Sequence, residues 1–200
     1  NIKNSIDYDN YLRTHVKYYI VTTFKGRGKY EKVAFDILED AIVFSDEKNH
    51  ASIISGIKKS QANKEIFRHN DLKHLEELIN LYPENKPKLI IFESIYSMDG
   101  DYGDIAGIVK IAKKYNAITF LDEVHAVGMY GETGAGVSEK LNLNHQIDII
   151  QGTLGKAFGI MGGYITSTEL ICDTIRSYAS GFIFTTAMPP ALAKSATTSI

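Results

Sequence analysis

Four short stretches of this sequence carry side chains able to do chemistry together. Lys156 stands in Gly152-Thr153-Leu154-Gly155-Lys156-Ala157, a glycine-containing loop flanked by apolar runs. Asp122-Glu123-Val124-His125 follows one apolar run, Tyr96-Ser97-Met98-Asp99-Gly100 follows another, and His50 lies just past a third. An amine in such a loop reads either as a solvated lysine or as a partly desolvated one. Desolvation favours the neutral amine, which can attack a carbonyl carbon. An aspartate with a histidine three residues on, and His50 available, could ligate a metal. The other reading of Asp122 is a partner for a protonated aromatic ring nitrogen, which turns the ring into an electron sink. Lysine and aspartate on adjacent strand ends favour that second reading and point to pyridoxal phosphate. Glu123 reads as a structural acid.

The remaining candidates are weaker by spacing alone. His50 follows a strand and opens a helix, so it reads as a helix cap or as a flat ring stacked on an aromatic cofactor. His69 and His74 are read as structural, and His15 and His145 carry no argument. Thr185 and Thr186 precede a helix expected from Pro190 to Ile200, where hydroxyls suit a phosphate or an ordinary cap. Gly152 to Lys156 is not a phosphate loop, which needs four residues between its glycines and a Ser or Thr after the lysine. Gly26-Arg27-Gly28 lacks the third glycine of a dinucleotide fingerprint.

The elements that must position these residues alternate. Apolar runs predict strands at Ala41–Ser45, Lys64–Phe67, Lys88–Ile95, Ala117–Leu121, Ile147–Gln151 and Gly163–Ser167. Helices are expected at His50–Ser60, over Asp71 to Tyr82 with Asp71 as cap, over Asp104–Tyr115, and from Thr168 to about Tyr178. Strands apolar on both faces and alternating with helices predict an α/β fold with a mostly parallel, doubly wound sheet. Ligands of such sheets sit beyond the carboxyl ends of the strands, where the four stretches lie. Residues 1–40 differ: five of the twelve tyrosines (Tyr8, Tyr11, Tyr18, Tyr19, Tyr30) fall there among scattered Lys and Arg. Tyr18 to Phe24 is a possible strand in this lead-in.

Composition narrows the function classes. The chain has 200 residues, 44% of them hydrophobic, with 22 basic against 24 acidic side chains and a formal charge of −2. That suits one sizeable core and no dedicated nucleic-acid binder. The single cysteine excludes an internal disulfide and fits a reducing compartment. The longest uncharged stretch, Ser177 to Ala193, is broken by polar residues and a Pro-Pro pair and does not read as a membrane span. No signal-peptide pattern is present. The start at Asn1 and the stop inside an expected helix suggest a piece of a longer protein.

From about Asp40 to Ile200 the sequence resembles the α-oxoamine synthases, a pyridoxal-phosphate group within the aspartate aminotransferase fold type. The resemblance rests on Phe44 through Ser52, Ile66 through Asp71, Phe92 through Gly100, Leu121 through Gly131, Gly152 through Ala157 and Arg176 through Thr186. It implies that Lys156 holds the cofactor covalently and moves the proton off glycine, that Asp122 pairs with the pyridine nitrogen, and that His50 stacks on the ring. It places His125 and Ser97 near the ring hydroxyl and Thr153 on the phosphate. Thr185 and Thr186 would reach the phosphate of a neighbouring subunit, giving a homodimer with a shared site. Within the group, Glu123-Val124-His125 matches the branch that condenses glycine with succinyl-CoA to 5-aminolevulinate for haem and tetrapyrrole synthesis. The glycine C-acetyltransferase and 8-amino-7-oxononanoate synthase branches typically carry Asp-Asp there.

The same resemblance implies an organisation. Residues 1–40 form a divergent lead-in without the group's Ser-Gly-aromatic phosphate loop. Residues 41–200 form an incomplete cofactor-binding large domain, and the small carboxyl-terminal domain is absent. The 200 residues alone are expected to be inactive. The expected location is the cytoplasm of a bacterium or the mitochondrial matrix of a eukaryote.

Overall fold

The structure, a computed structural model, describes residues 19–22, 41–60, 62–184 and 186–200. Among these, seven strands form one sheet in the order β1-β7-β6-β5-β4-β2-β3. They are β1 (Tyr19–Thr22), β2 (Ile42–Asp46), β3 (Asn63–Phe67), β4 (Lys88–Glu93), β5 (Ile118–Asp122), β6 (Ile149–Thr153) and β7 (Gly163–Ser167). Helices α1 (Ala51–Ser60), α2 (Leu72–Ile79), α3 (Ile105–Lys114), α4 (Val137–Lys140), α5 (Glu169–Tyr178), α6 (Ser180–Ile183) and α7 (Pro190–Ser199) lie between and after them.

Strands β2 to β6 are mutually parallel, and all residues of β2 and β4 are buried. Alternation sends Ile42, Phe44, Ile90 and Phe92 to one face, where they meet Leu75 and Ile79 of α2 and Ile108 and Ala112 of α3. Val43, Leu89, Ile91 and Phe120 go to the other face against Ile53 and Ile57 of α1, with Ile171 of α5 beside them. Each fully buried side chain of this size contributes roughly 1.5–3 kcal/mol. Helix starts follow local chemistry: Asp71 accepts from the His74 N–H, and Asp104 accepts from the Gly107 N–H, each at 2.9 Å.

The direction of β7 and the end of β6 differ from the sequence expectation. β7 is antiparallel to β6, because residues 154–162 return as a tight connection with no crossover helix. That pairing sets Gly152 opposite Tyr164 and Thr153 opposite Gly163, so both belong to β6 rather than to the loop after it. The sheet also takes a strand from before residue 41, since β1 pairs antiparallel with β7. The other residues of the 1–40 lead-in, including Tyr8 and Tyr11, lie outside the described residues. Among the described residues no helix is long and apolar enough to cross a membrane.

Candidate active site

The candidate side chains gather at the carboxyl ends of β2, β4, β5 and β6. The strand order turns back between β2 and β4, which makes a switch point there. Asp122 is the last residue of β5, paired in register with Glu93 on one side and Gln151 on the other. Its Oδ1 accepts the Val124 N–H at 2.8 Å, and the Gln151 side-chain amide approaches Oδ2 at 3.4 Å. The carboxylate is therefore held in one orientation while buried.

Lys156 lies on the connection from β6 to β7, where the Gly159 N–H donates to the Lys156 carbonyl at 3.0 Å. Its Nζ contacts Nε2 of His125. Burial pulls the Lys156 amine below the ordinary lysine range, against the opposing pull of Asp122 and Glu93. Burial lowers His125 as well, helped by the positive ends of Lys156 and His50. An amine and an imidazole meeting head-on share one proton between them, so both shifts favour one cation fewer. The loops that bring them together touch at Gly128. Its φ of +79° suits glycine, and a Cβ there would sit 2.7 Å from Cβ of Ala157.

One member of the cluster escaped the sequence reading. Glu93 ends β4 with 2% of its surface exposed. Its Oε1 accepts the backbone N–H of His50, and its Oε2 stands 4.0 Å from Nδ1 of His125. Burial, reinforced by the Asp122 charge, pushes its carboxyl up to about 8. The available signal was an acid inside an otherwise apolar run. The expected strand to Ile95 hid it, whereas the strand stops at Glu93.

The other predicted residues divide. His50 does cap, its Nδ1 accepting from the Ser52 N–H at 3.2 Å, and its ring remains exposed beside the cluster. Thr153 is buried, and its Oγ1 donates to the Gly162 carbonyl at 3.2 Å while accepting the Gly155 N–H at 3.1 Å. That hydroxyl closes the base of the lysine loop. Ser97 is exposed in the turn after β4, and Thr186 is exposed ahead of α7. Thr185 lies outside the described residues. Glu123 is structural, as expected: it is buried and accepts the N–H groups of Val137 and Ser138 at 3.0 and 2.7 Å. His69 is more than a bland residue. Nδ1 meets Asp46 at 2.9 Å and Nε2 meets Asp101 at 2.6 Å, which ties β2 to the loop carrying Ser97. Burial pulls this imidazole down, but the bonds to Asp101 and Asp46 outweigh it and hold it above its ordinary value.

The set can receive an aromatic aldehyde with a basic ring nitrogen: an amine for the carbonyl carbon, an oriented carboxylate for the nitrogen, and two imidazoles alongside. Among the described residues no group of three or more His, Cys, Asp and Glu is arranged to hold a metal. An open groove of about 1740 Å³, lined by Tyr130, Glu139, Lys140, Tyr164 and Thr166, includes none of the cluster.

Comparison with known proteins agrees with this layout. The 5-aminolevulinate synthase of Rickettsia bellii is 57% identical over 164 residues, which is 82% of this chain and 40% of that protein. The enzyme of the same name from Paracoccus denitrificans is 60% identical over 159 residues, 80% of this chain and 39% of that one. The chain thus spans about two-fifths of the length of these curated relatives. A solved structure of SPT with its PLP internal aldimine matches with a TM-score of 0.85 at 32% identity, covering 97% of this chain and 49% of that one. The sequence profile of aminotransferase class I and II matches residues 11–200, and with the parallel sheet and the lysine–aspartate pair at its strand ends it follows that this chain belongs to that family.

Proposed function

We propose that the strand-end cluster binds pyridoxal phosphate, and that the whole protein condenses glycine with succinyl-CoA to 5-aminolevulinate, CoA and CO2, a step of haem biosynthesis. The observation that carries this reading is the Lys156 amine. It is depressed by burial, lies under the pull of Asp122 and Glu93, and is in contact with His125. The identity to curated 5-aminolevulinate synthases supports the succinyl-CoA branch over the other two.

The residues present fit the cofactor. Lys156 would hold it through its aldehyde carbon, Asp122 would face the ring nitrogen, and the exposed ring of His50 would lie against its face. When bound, pyridoxal phosphate supplies an electron-withdrawing ring that accepts the electron pair left behind when an amino acid loses its α-proton. The chain supplies the rest. The lowered basicity of Lys156 moves the group toward the neutral amine, the form that can take a proton. His125 at Nε2 is placed to exchange that proton with Nζ. The fixed donors on Asp122, from Val124 and Gln151, hold its charge on a set line so that no reorganisation is needed when the ring nitrogen requires it. We further infer a homodimer in which Thr185 and Thr186 serve the neighbouring site, a reading supported by the family resemblance.

The test is capture. Pyridoxal phosphate added to the protein should give a near-visible absorption band, and borohydride should lock the cofactor onto the peptide containing Lys156. Lys156→Ala should show neither. Loss of the band, or reduction onto a different lysine, would overturn the assignment. Comparing succinyl-CoA with acetyl-CoA and pimeloyl-CoA as acyl donors with glycine and alanine then separates the three branches, and light scattering reads the oligomeric state.

A further inference from the structure

We propose that Glu93 is a positioning residue of this site, a single buried carboxyl that steadies His125 against Lys156 and fixes the chain that carries His50: Oε1 anchors the backbone of His50, and Oε2 faces Nδ1 of His125. This rests on the reading of the cluster as the cofactor site. The geometry is that of the switch point. β2 and β4 are neighbours, so the end of β4 lies beneath the residue that follows β2, and the His50 N–H points at Glu93 rather than at water. The His125 ring is then addressed from two sides, by Lys156 at Nε2 and by Glu93 near Nδ1.

The two contacts on His125 have a consequence for its tautomer. A carboxyl whose first oxygen is occupied by an N–H donor presents its second oxygen to the ring. Ionised, that oxygen favours hydrogen on Nδ1 and leaves Nε2 free to accept from Lys156; protonated, it offers its own hydrogen to Nδ1 and favours hydrogen on Nε2. Glu93 thereby sets the direction of proton exchange between the lysine and the histidine without touching the cofactor. The ionisable and polar groups facing Glu93 are Asp46 on β2, Asp122 on β5, Lys156 after β6, the backbone N–H of His50, the imidazole of His125, and the hydroxyl of Tyr96, which accepts the Glu93 N–H at 3.3 Å. Burial and Asp122 together push the Glu93 carboxyl up to about 8, so its charge changes within an accessible range.

The experiment is a histidine ring titration by nitrogen-15 NMR on the protein without added cofactor, with the His125 signals assigned by His125→Gln. In the wild type, His125 should shift from Nε2–H toward the Nδ1–H tautomer as pH rises through about 8, the inflection coming from Glu93. In Glu93→Gln, which keeps an acceptor for His50 but cannot ionise, the inflection should vanish and the Nε2–H tautomer should persist to pH 9. If the variant does not fold, the wild-type titration alone decides: His125 signals without an inflection between pH 7 and 9, or with no gain of Nδ1–H across it, overturn the role of Glu93. The cofactor reading fails separately. An inflection with no borohydride capture at Lys156 would sink that reading and leave Glu93 as the anchor of the two histidines.

Discussion

Replacing Glu93 by Gln should change how the stability of the protein depends on pH, with a sign set by the raised carboxyl. Burial and the neighbouring Asp122 lift Glu93 from 4.5 to about 8. Between those values the folded protein keeps a proton that the unfolded chain has released. Stability therefore falls as pH rises through the window, by at most ~1.4 kcal/mol per unit, or roughly 5 kcal/mol across the whole of it. Gln fills the same space, retains an acceptor for the His50 N–H and has nothing to ionise. Urea unfolding of both proteins, followed by circular dichroism at unit steps from pH 5 to pH 9, isolates the effect because the other titrating groups are shared. The variant should gain on the wild type progressively, by ~3–5 kcal/mol between the two ends. Curves that stay parallel within ~1 kcal/mol would refute the claim that a strained, buried acid lies beneath the cluster.

Other perturbations test the scaffold around it. Gly128→Ala combines a left-handed φ with a Cβ 2.7 Å from Ala157, and should cost about 2–4 kcal/mol in urea unfolding while slowing borohydride capture at Lys156. Glu123→Ala strips the acceptor from the buried N–H groups of Val137 and Ser138, and thermal unfolding should report a loss of roughly 2–5 kcal/mol. His69 has both ring nitrogens on carboxylates, so it is charged when its contacts are intact. Its contribution should be fully present below pH 6.5 and be lost as pH climbs through its higher folded value. Asp101→Asn should flatten that dependence by about 1 kcal/mol, a modest figure because Asp101 is half exposed.

Much of this protein is legible from local pattern. The apolar run at Lys88 to Phe92, the cap Asp71, and the helices at 72–79 and 105–114 emerge where periodicity and capping predict. Lys156, Asp122 and His125 stand out because amine, acid and imidazole follow apolar strands in an alternating chain. Side-chain periodicity is a property of a few neighbouring residues, so it survives without knowledge of the fold. It cannot show which strands become neighbours. The antiparallel β7 drew Gly152 and Thr153 into the sheet. The β2–β4 pairing buried Glu93 under His50. Gly128 lets the turn after β5 rest on Ala157 in the loop after β6, setting His125 against Lys156, 31 residues away in sequence. A polar group's role depends on what surrounds it after burial, and burial is decided by chain segments distant in sequence. The residue types for the chemistry were therefore written in the sequence, whereas their charges, partners and orientation came only from the assembled sheet.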